Sequence, residues 1–153
     1  MIHAYNEEYL DDAMNNLGEA FDYAVHCQKL TLNQFAELFI TSGNAAKFQT
    51  GNPKYICGIS GTELVLSVLE KNGKSIYPAA GISDYKRSSA YWSGWILAYY
   101  QWYSGKSFEY IQKYLPAEEI NSLYNPLHEA HELKFAETAS IIIAERDKNS
   151  ATF

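Results

Sequence analysis

The spacing of apolar residues predicts α-helices along almost the whole chain. In the first part of the sequence, apolar residues recur every three or four positions and predict a long helix over about residues 4–28; they are Leu10, Ala13, Leu17, Ala20, Phe21, Ala24 and Cys27. Thr31 and Ser60 are followed at the spacing of a capping box by Gln34 and Glu63. Two further helices are therefore predicted to begin directly after Thr31 and Ser60.

The second half of the chain also has helical spacing, interrupted by glycine and proline. A helix over about residues 89–103 is predicted to stop at Gly105, and Ser107 is predicted to cap a short helix. Pro116 suits the first turn of another helix, and the Asn-Pro pair at 125–126 is predicted to open the last long helix.

Together these signals predict an all-α fold. We expect a single compact domain of six to seven helices over residues 1–147, with long first and last helices and a central aromatic helix. The polar tail at 148–153 is expected to fray. Glycine, proline and polar residues between 73 and 87 predict a connecting loop, and a short strand pair at 55–57 and 75–77 stays open as an alternative.

The central helix is unusually aromatic. Residues 91–103 contain seven aromatic side chains, including all three tryptophans of the chain. Four of them share a helix face and are predicted core anchors: Trp92, Trp95, Tyr99 and Trp102. Three tyrosines lie beside that face and are predicted to contact a partner, since tyrosine is enriched at interfaces: Tyr91, Tyr100 and Tyr103.

Charge is distributed unevenly along the 153 residues, whose formal net charge is −6. Residues 1–24 contain no Lys or Arg and six carboxylates, which are predicted to steer a basic protein partner: Glu7, Glu8, Asp11, Asp12, Glu19 and Asp22. Residues 47–87 carry a net charge of +3. The acidic first helix argues against nucleic acid as the main partner.

The termini and cysteines bear on localisation. The start of the chain lacks a basic segment followed by an apolar one, and no apolar stretch has membrane-spanning length. Cys27 and Cys57 are expected to be reduced packing residues. These features favour a cytoplasmic protein without a membrane partner, in which a homo-oligomer stays possible.

No motif in the sequence specifies a reaction. His128 and His131 are three residues apart, whereas the metalloprotease pattern needs a spacing of four, so we expect solvated side chains and no metal. His26 and Cys27 are adjacent on a helix and point about 100° apart, which prevents a direct nucleophile–base hydrogen bond. We therefore expect a non-enzymatic protein without a cofactor.

Two ligand-binding alternatives stay open in the first half of the chain. Residues 51–61 resemble a phosphate loop only in their glycines, because the Gly-x-x-x-x-Gly-Lys-Ser/Thr spacing is missing. The helix after Ser60 could be a DNA-recognition helix, but it carries Glu63 and Glu70 and a single basic residue, Lys71.

The segment at 91–102, Tyr-Trp-Ser-Gly-Trp-Ile-Leu-Ala-Tyr-Tyr-Gln-Trp, resembles the most characteristic motif of an uncharacterised family of short bacterial proteins. The resemblance covers nearly the whole chain and continues in four further places: 17–24, 51–55, 58–64 and 127–130. Members of this family are often encoded beside small proteins similar to ADP-ribosyltransferase toxins. The resemblance therefore implies an antitoxin that neutralises such a toxin, and it implies no catalytic residue.

Three functions follow from the sequence, in decreasing order of support. The first is a non-enzymatic protein-binding protein, the antitoxin of an ADP-ribosyltransferase-like toxin. The second is a small-molecule or nucleotide-binding protein, an enzyme included, with an aromatic pocket between the aromatic helix and residues 51–60. The third is a DNA-binding regulator.

Overall fold

The computed structural model describes residues 2–78 and 88–150 of the chain, and the ordered elements in these residues are all helical. Nine α-helices follow one another in the described part: α1 (Leu10–His26), α2 (Leu32–Thr41), α3 (Asn44–Gln49), α4 (Gly61–Lys71), α5 (Ser89–Ser104), α6 (Phe108–Tyr114), α7 (Ala117–Ser122), α8 (Tyr124–Leu127) and α9 (Glu132–Ser150). A 3-10 turn (Glu7–Tyr9) precedes α1, and a π-helical turn (Lys54–Gly58) precedes α4. The all-α prediction is confirmed, with more helices than six or seven.

Local capping signals place the helix ends where the sequence predicts them. Thr31 and Ser60 each cap a helix through their hydroxyls, and the glutamine or glutamate three residues later returns a hydrogen bond, so both capping boxes are present. The hydroxyls of Ser88 and Ser107 cap α5 and α6 in the same way. At the end of α5, Gly105 adopts a left-handed φ of 70°, which favours glycine because it has no Cβ.

Several predicted boundaries are wrong where a local cap or turn interrupts the apolar repeat. The first helix begins at Leu10 rather than near residue 4, because Asn6 caps a separate 3-10 turn. The last helix begins at Glu132, since residues 128–131 form turns between α8 and α9. Residues 55–57 belong to the π-helical turn and 75–77 have no regular structure, so the strand pair is absent. The predicted loop falls partly on 79–87, outside the described residues.

Helices α1 and α5 pack against each other at the centre of the molecule. Their contact is the most extensive between described elements; α2, α4 and the π-helical turn cover α1, and α7, α8 and α9 cover α5. Small residues allow the close approach: a Cβ added at Gly94 would overlap the backbone oxygen of Leu17 and lie 2.9 Å from the Cβ of Phe21. One continuous core of buried side chains surrounds this crossing, consistent with a single domain.

Helix α9 continues to Ser150, and Arg146 and Asp147 hold its C-terminal part on the domain. Residues 151–153 of the predicted tail lie outside the described part. Asp147 accepts hydrogen bonds from the hydroxyls of Tyr110 (2.8 Å) and Tyr114 (3.0 Å). Arg146 pairs with both carboxylate oxygens of Glu119 and donates to the backbone oxygen of Tyr114 at 2.8 Å. These contacts fix the last turns of α9 against α6 and α7.

This attachment should depend on pH through Asp147. Hydrogen bonds from Tyr110 and Tyr114 hold the pKa of Asp147 below its usual value of 3.8. A carboxyl with a depressed folded-state pKa stabilises the folded protein above the unfolded pKa, and this contribution is lost as the pH falls through the folded pKa. We expect Asp147→Asn to lower the melting temperature at neutral pH, and this loss should become smaller as the pH falls below 3.8 towards the folded-state pKa.

The measurement is thermal unfolding of both proteins between about pH 3 and pH 7, combined with amide hydrogen exchange along α9. Exchange should accelerate near the end of α9 in the variant. Asn149→Ala serves as the control for a polar change on the same turn that leaves the carboxylate in place. An equal loss of stability in Asp147→Asn at both ends of this pH range would show that the ionised Asp147 carboxylate is not the source of the stabilisation.

Candidate functional site

The aromatic helix α5 is buried on most of its circumference, because it has α1 on one side and α7, α8 and α9 on the other. Trp92 and Trp102 are buried as predicted. Trp95 and Tyr99 are only half-buried, so their prediction as core anchors is wrong. The physical reason is that Gly94 forms the close contact with α1 and Ser93 is buried against Asn121 of α7, and this leaves Trp95 and Tyr99 partly exposed.

Tyr100 is buried, which overturns its prediction as a partner contact. Its ring has no exposed surface, and its hydroxyl lies 3.1 Å from the hydroxyl of Ser140 on α9. Burial raises the pKa of Tyr100, and the hydrogen bond with Ser140 opposes this shift. Tyr100 therefore joins α5 to α9 as part of the core.

A half-buried line of aromatic side chains remains on the outer side of α5. Its four members are spaced by four residues and form what we call the aromatic stripe: Tyr91, Trp95, Tyr99 and Tyr103. Near its end the rings of Tyr99 and Tyr103 stack with centroids 6.0 Å apart. The predicted contacts Tyr91 and Tyr103 lie in this stripe.

Two carboxylates act on the aromatic stripe through their charge. Burial raises the pKa of Tyr99, and the nearby Glu132, the phenol of Tyr103 and Glu7 act in the same direction. At the start of the stripe, the hydroxyl of Tyr91 donates to the side-chain oxygen of Asn15 on α1 (3.2 Å). The stripe is therefore in contact with α1 through Asn15, and the charges of Glu7 and Glu132 act on Tyr99.

Asp22 is buried, so its prediction as an exposed steering charge is wrong. Its carboxylate accepts a hydrogen bond from the hydroxyl of Ser88 (2.8 Å) and lies 3.6 Å from the ring of His26. Ser88 is the residue that caps α5. Because a buried carboxylate needs partners, Asp22 supports the start of the aromatic helix rather than the surface.

Glu19 is also engaged within the molecule. Its carboxylate accepts from the backbone N–H and from the hydroxyl of Thr62, both at 3.1 Å, at the first turn of α4. A carboxylate at a helix N-terminus is stabilised by the helix dipole and by free backbone N–H groups. The anion position that residues 51–61 suggested at the start of α4 is thus occupied by a side chain of the protein itself.

Four of the six predicted carboxylates remain exposed, and we call them the acidic patch: Glu7, Glu8, Asp11 and Asp12. None of them forms an ion pair with a basic residue in the described part of the chain. Their charges are therefore available to an approaching partner. Asp11 and Asp12 lie on α1, as Asn15 does, and Glu7 and Glu8 lie in the 3-10 turn that precedes it.

A groove of about 460 Å³ opens along the first half of the aromatic stripe. Its lining combines α1, α5 and the α8 region: Asn15, Ser88, Tyr91, Trp92, Trp95, Tyr124 and His128. The ring of His128 stacks on that of Tyr124 at 4.0 Å, and Tyr124 packs edge-on against Trp92 at 5.7 Å. The predicted aromatic pocket therefore borders α8 and α1, and not residues 51–60.

The candidate metal-binding and nucleophilic residues have different surroundings in the described part of the chain. Among the residues that the structure describes, no group of three or more His, Cys, Asp or Glu side chains is arranged to hold a metal ion. His128 contacts the backbone oxygen of Tyr124, and His131 lies at the surface. Burial and the charge of Asp22 raise the pKa of Cys27, which disfavours its nucleophilic thiolate. Cys57 is exposed rather than packed.

The structure also bears on the predicted DNA-recognition helix, which corresponds to α4. The apolar side of α4 packs on α1, and its outer surface carries Glu63 and Glu70, a charge that does not favour a DNA-recognition helix. No helix in residues 2–78 or 88–150 has the length and apolar content needed to cross a lipid bilayer.

Comparisons with known protein families, with curated protein sequences and with solved structures found no significant match to this chain.

Sequence reasoning missed the residues that complete the groove. Asn15 lies one turn beyond Asp11 on the predicted acidic face, and this position was the available signal. Tyr124 and His128 are four residues apart, the spacing of a contact on one helix face. Their approach to Trp92 depends on the packing of α8 against α5, which no local pattern specifies.

Proposed function

We propose that this protein binds a basic protein partner through the acidic patch and the aromatic stripe. The observation that carries the proposal is the hydrogen bond from Tyr91 of the stripe to Asn15, which lies one helical turn beyond Asp11 on α1; the charge of Glu7 also raises the pKa of Tyr99. Unpaired carboxylates beside half-exposed aromatic rings match a partner rich in arginine and lysine. The carboxylates attract these cations, and the ring faces bind them by cation–π interactions.

The partner class follows from the resemblance to the bacterial family encoded beside ADP-ribosyltransferase-like toxins. A toxin that binds an anionic nucleotide cofactor needs basic residues around that cofactor. An acidic and aromatic surface is suited to cover such residues, so the proposed role is that of an antitoxin that acts by binding and not by catalysis.

The direct test of this proposed role is co-expression with the product of the adjacent gene. A stable complex and restored growth support the proposal; growth arrest without a complex contradicts it.

Charge reversal in the acidic patch should slow the association. We expect Asp11→Lys combined with Asp12→Lys to reduce the association rate with the adjacent gene product by roughly tenfold or more at low salt, because electrostatic steering is lost. The salt dependence of the rate should weaken at the same time, and dissociation should change less. Stopped-flow mixing at several ionic strengths measures all three quantities.

The matched control is Glu137→Lys combined with Glu145→Lys on α9, which changes the net charge equally at exposed positions of another helix. This control should slow association much less. Equal slowing in both double variants would show that net charge alone matters and that the acidic patch is not the binding surface.

The aromatic groove favours small-molecule binding as a second candidate function. Its volume of about 460 Å³ and its ring-lined walls are typical of pockets for flat or cationic ligands. Thermal unfolding in the presence of nucleotides and of quaternary amines tests it, because a ligand specific for the folded state raises the melting temperature with its concentration. The matched variant is His128→Ala, which removes one wall of the groove. If a ligand raises the melting temperature of this variant as much as that of the native chain, the ligand does not bind in the groove.

A further inference from the structure

Three lysines converge on one tyrosine, away from the surface described above. The ammonium groups of Lys47, Lys54 and Lys71 lie 5.3, 5.5 and 5.4 Å from the centre of the Tyr55 ring. They come from α3, the π-helical turn and α4, so the tertiary structure and not one basic run brings them together. The Tyr55 ring is buried beneath them.

The cluster is positioned by buried polar groups. Asn44 has no exposed surface; its side-chain oxygen accepts a hydrogen bond from the ammonium group of Lys71, and its amide donates to the hydroxyl of Ser67 at 3.1 Å. Lysine side chains on a surface are usually mobile, and this contact restricts one of them. Asn44 thus holds Lys71 over the tyrosine.

The positive charge of the cluster is not balanced by the described protein. None of the three lysines pairs with a carboxylate in the described residues. Burial alone would raise the pKa of Tyr55, but hydrogen bonds from Lys47 and Lys71 and their charges lower it. Lys71 thus has the side-chain oxygen of Asn44 as one partner, and the phenol of Tyr55 is a polar group near both Lys47 and Lys71.

We propose that Lys47, Lys54, Lys71 and Tyr55 bind a phosphoryl dianion, either free phosphate or the terminal phosphate of a nucleotide. Three cations that repel one another are stabilised most by an anion with two charges. The tetrahedral phosphoryl group has oxygens pointing in several directions, which matches donors from three separate elements better than a planar carboxylate does. Charge-assisted hydrogen bonds from lysine to phosphate are a common form of such recognition.

The experiment is NMR titration of the full chain with inorganic phosphate at constant ionic strength, with chloride as the reference anion. We expect saturable shifts of the amide signals of Tyr55 and its neighbours, and a dissociation constant roughly tenfold weaker or more in Lys47→Gln combined with Lys71→Gln. The matched control is Lys106→Gln combined with Lys113→Gln, since each of these lysines lies over a single tyrosine ring at 4.8 and 5.1 Å. This control should bind phosphate as the native chain does.

Two further titrations identify the source of the phosphoryl group. A nucleoside monophosphate that binds more tightly than phosphate, with the same dependence on Lys47 and Lys71, indicates a nucleotide; equal or weaker binding indicates free phosphate. Tyr55→Phe retains the ring and should weaken binding less than the double lysine variant. The proposal is overturned if phosphate produces no saturable shift, or if the lysine variants and the control bind it equally.

Discussion

Replacing Gly94 by alanine should destabilise the protein by about 1–3 kcal/mol or more, although alanine is the better helix former. Helix propensity alone predicts a gain of about 1 kcal/mol from this change. The tertiary structure reverses the sign, because the new Cβ would overlap the backbone oxygen of Leu17 and lie 2.9 Å from the Cβ of Phe21. A backbone atom inside a packed helix cannot move aside, so α1 and α5 must separate.

The control for this prediction is Gly18→Ala on α1. An added Cβ at Gly18 would lie 2.9 Å from the far end of the Tyr91 ring, which is a side chain that can rotate away. The gain in helix propensity is the same, so Gly18→Ala should cost clearly less than Gly94→Ala. Chemical denaturation of both variants measures the difference, and equal losses would contradict the assignment of the closest contact to Gly94.

Alanine substitution of two tryptophans less than one helical turn apart should change the folding free energy by very different amounts. Trp92 is buried and packs edge-on against Tyr124 and Phe135, both at 5.7 Å. Trp92→Ala should therefore cost about 3–5 kcal/mol of folding free energy, the range for a buried Trp. Trp95 is half-buried in the aromatic stripe, so Trp95→Ala should cost only about 1 kcal/mol.

For the affinity of the proposed partner complex, Trp95→Ala should have the larger effect of the two substitutions. Interface tryptophans are frequent hot spots, so we expect Trp95→Ala to weaken the complex with the adjacent gene product by about 2 kcal/mol or more, roughly thirtyfold in Kd. Denaturation and binding are measured on the same preparations, and Trp95→Phe serves as the conservative variant that retains a ring. A Trp95→Ala protein that binds normally would remove Trp95 from the proposed interface.

These expectations depend on the different surroundings of the two sides of α5. One side of the helix forms the tightest packing in the described molecule, and the opposite side presents the aromatic stripe. Asp22 and Ser88 fix the start of this helix through a buried hydrogen bond of 2.8 Å. The proposed binding surface is thereby attached to the most closely packed part of the described domain, which would lower the entropy that a partner has to remove on binding.

Much of the secondary structure could be predicted because its causes are local. The capping boxes at Thr31 and Ser60 and the stop at Gly105 depend on residues within one helical turn, and all three are confirmed. The start of α1 at Leu10 and the break before Glu132 were missed, since the apolar repeat continues through residues that form separate short turns.

The candidate site was predictable only in part, because a helix that is apolar on most of its surface does not reveal which side faces solvent. Periodicity placed Trp95 inside and Tyr100 outside, but the structure leaves Trp95 half-buried and buries Tyr100 completely. Gly94 was the overlooked signal, since a residue without a side chain permits the closest approach of two helices.

The sequence by itself determined the all-α class, most of the helix ends and the acidic character of the first helix, because these follow from local hydrogen bonds, side-chain spacing and charge. Only the tertiary structure decided which of these charges and rings are available. It placed Asp22 and Glu19 against other helices, left the acidic patch beside the aromatic stripe, and brought Lys47, Lys54 and Lys71 around Tyr55. The physical reason is that exposure depends on contacts between residues distant in the chain, which no local pattern encodes.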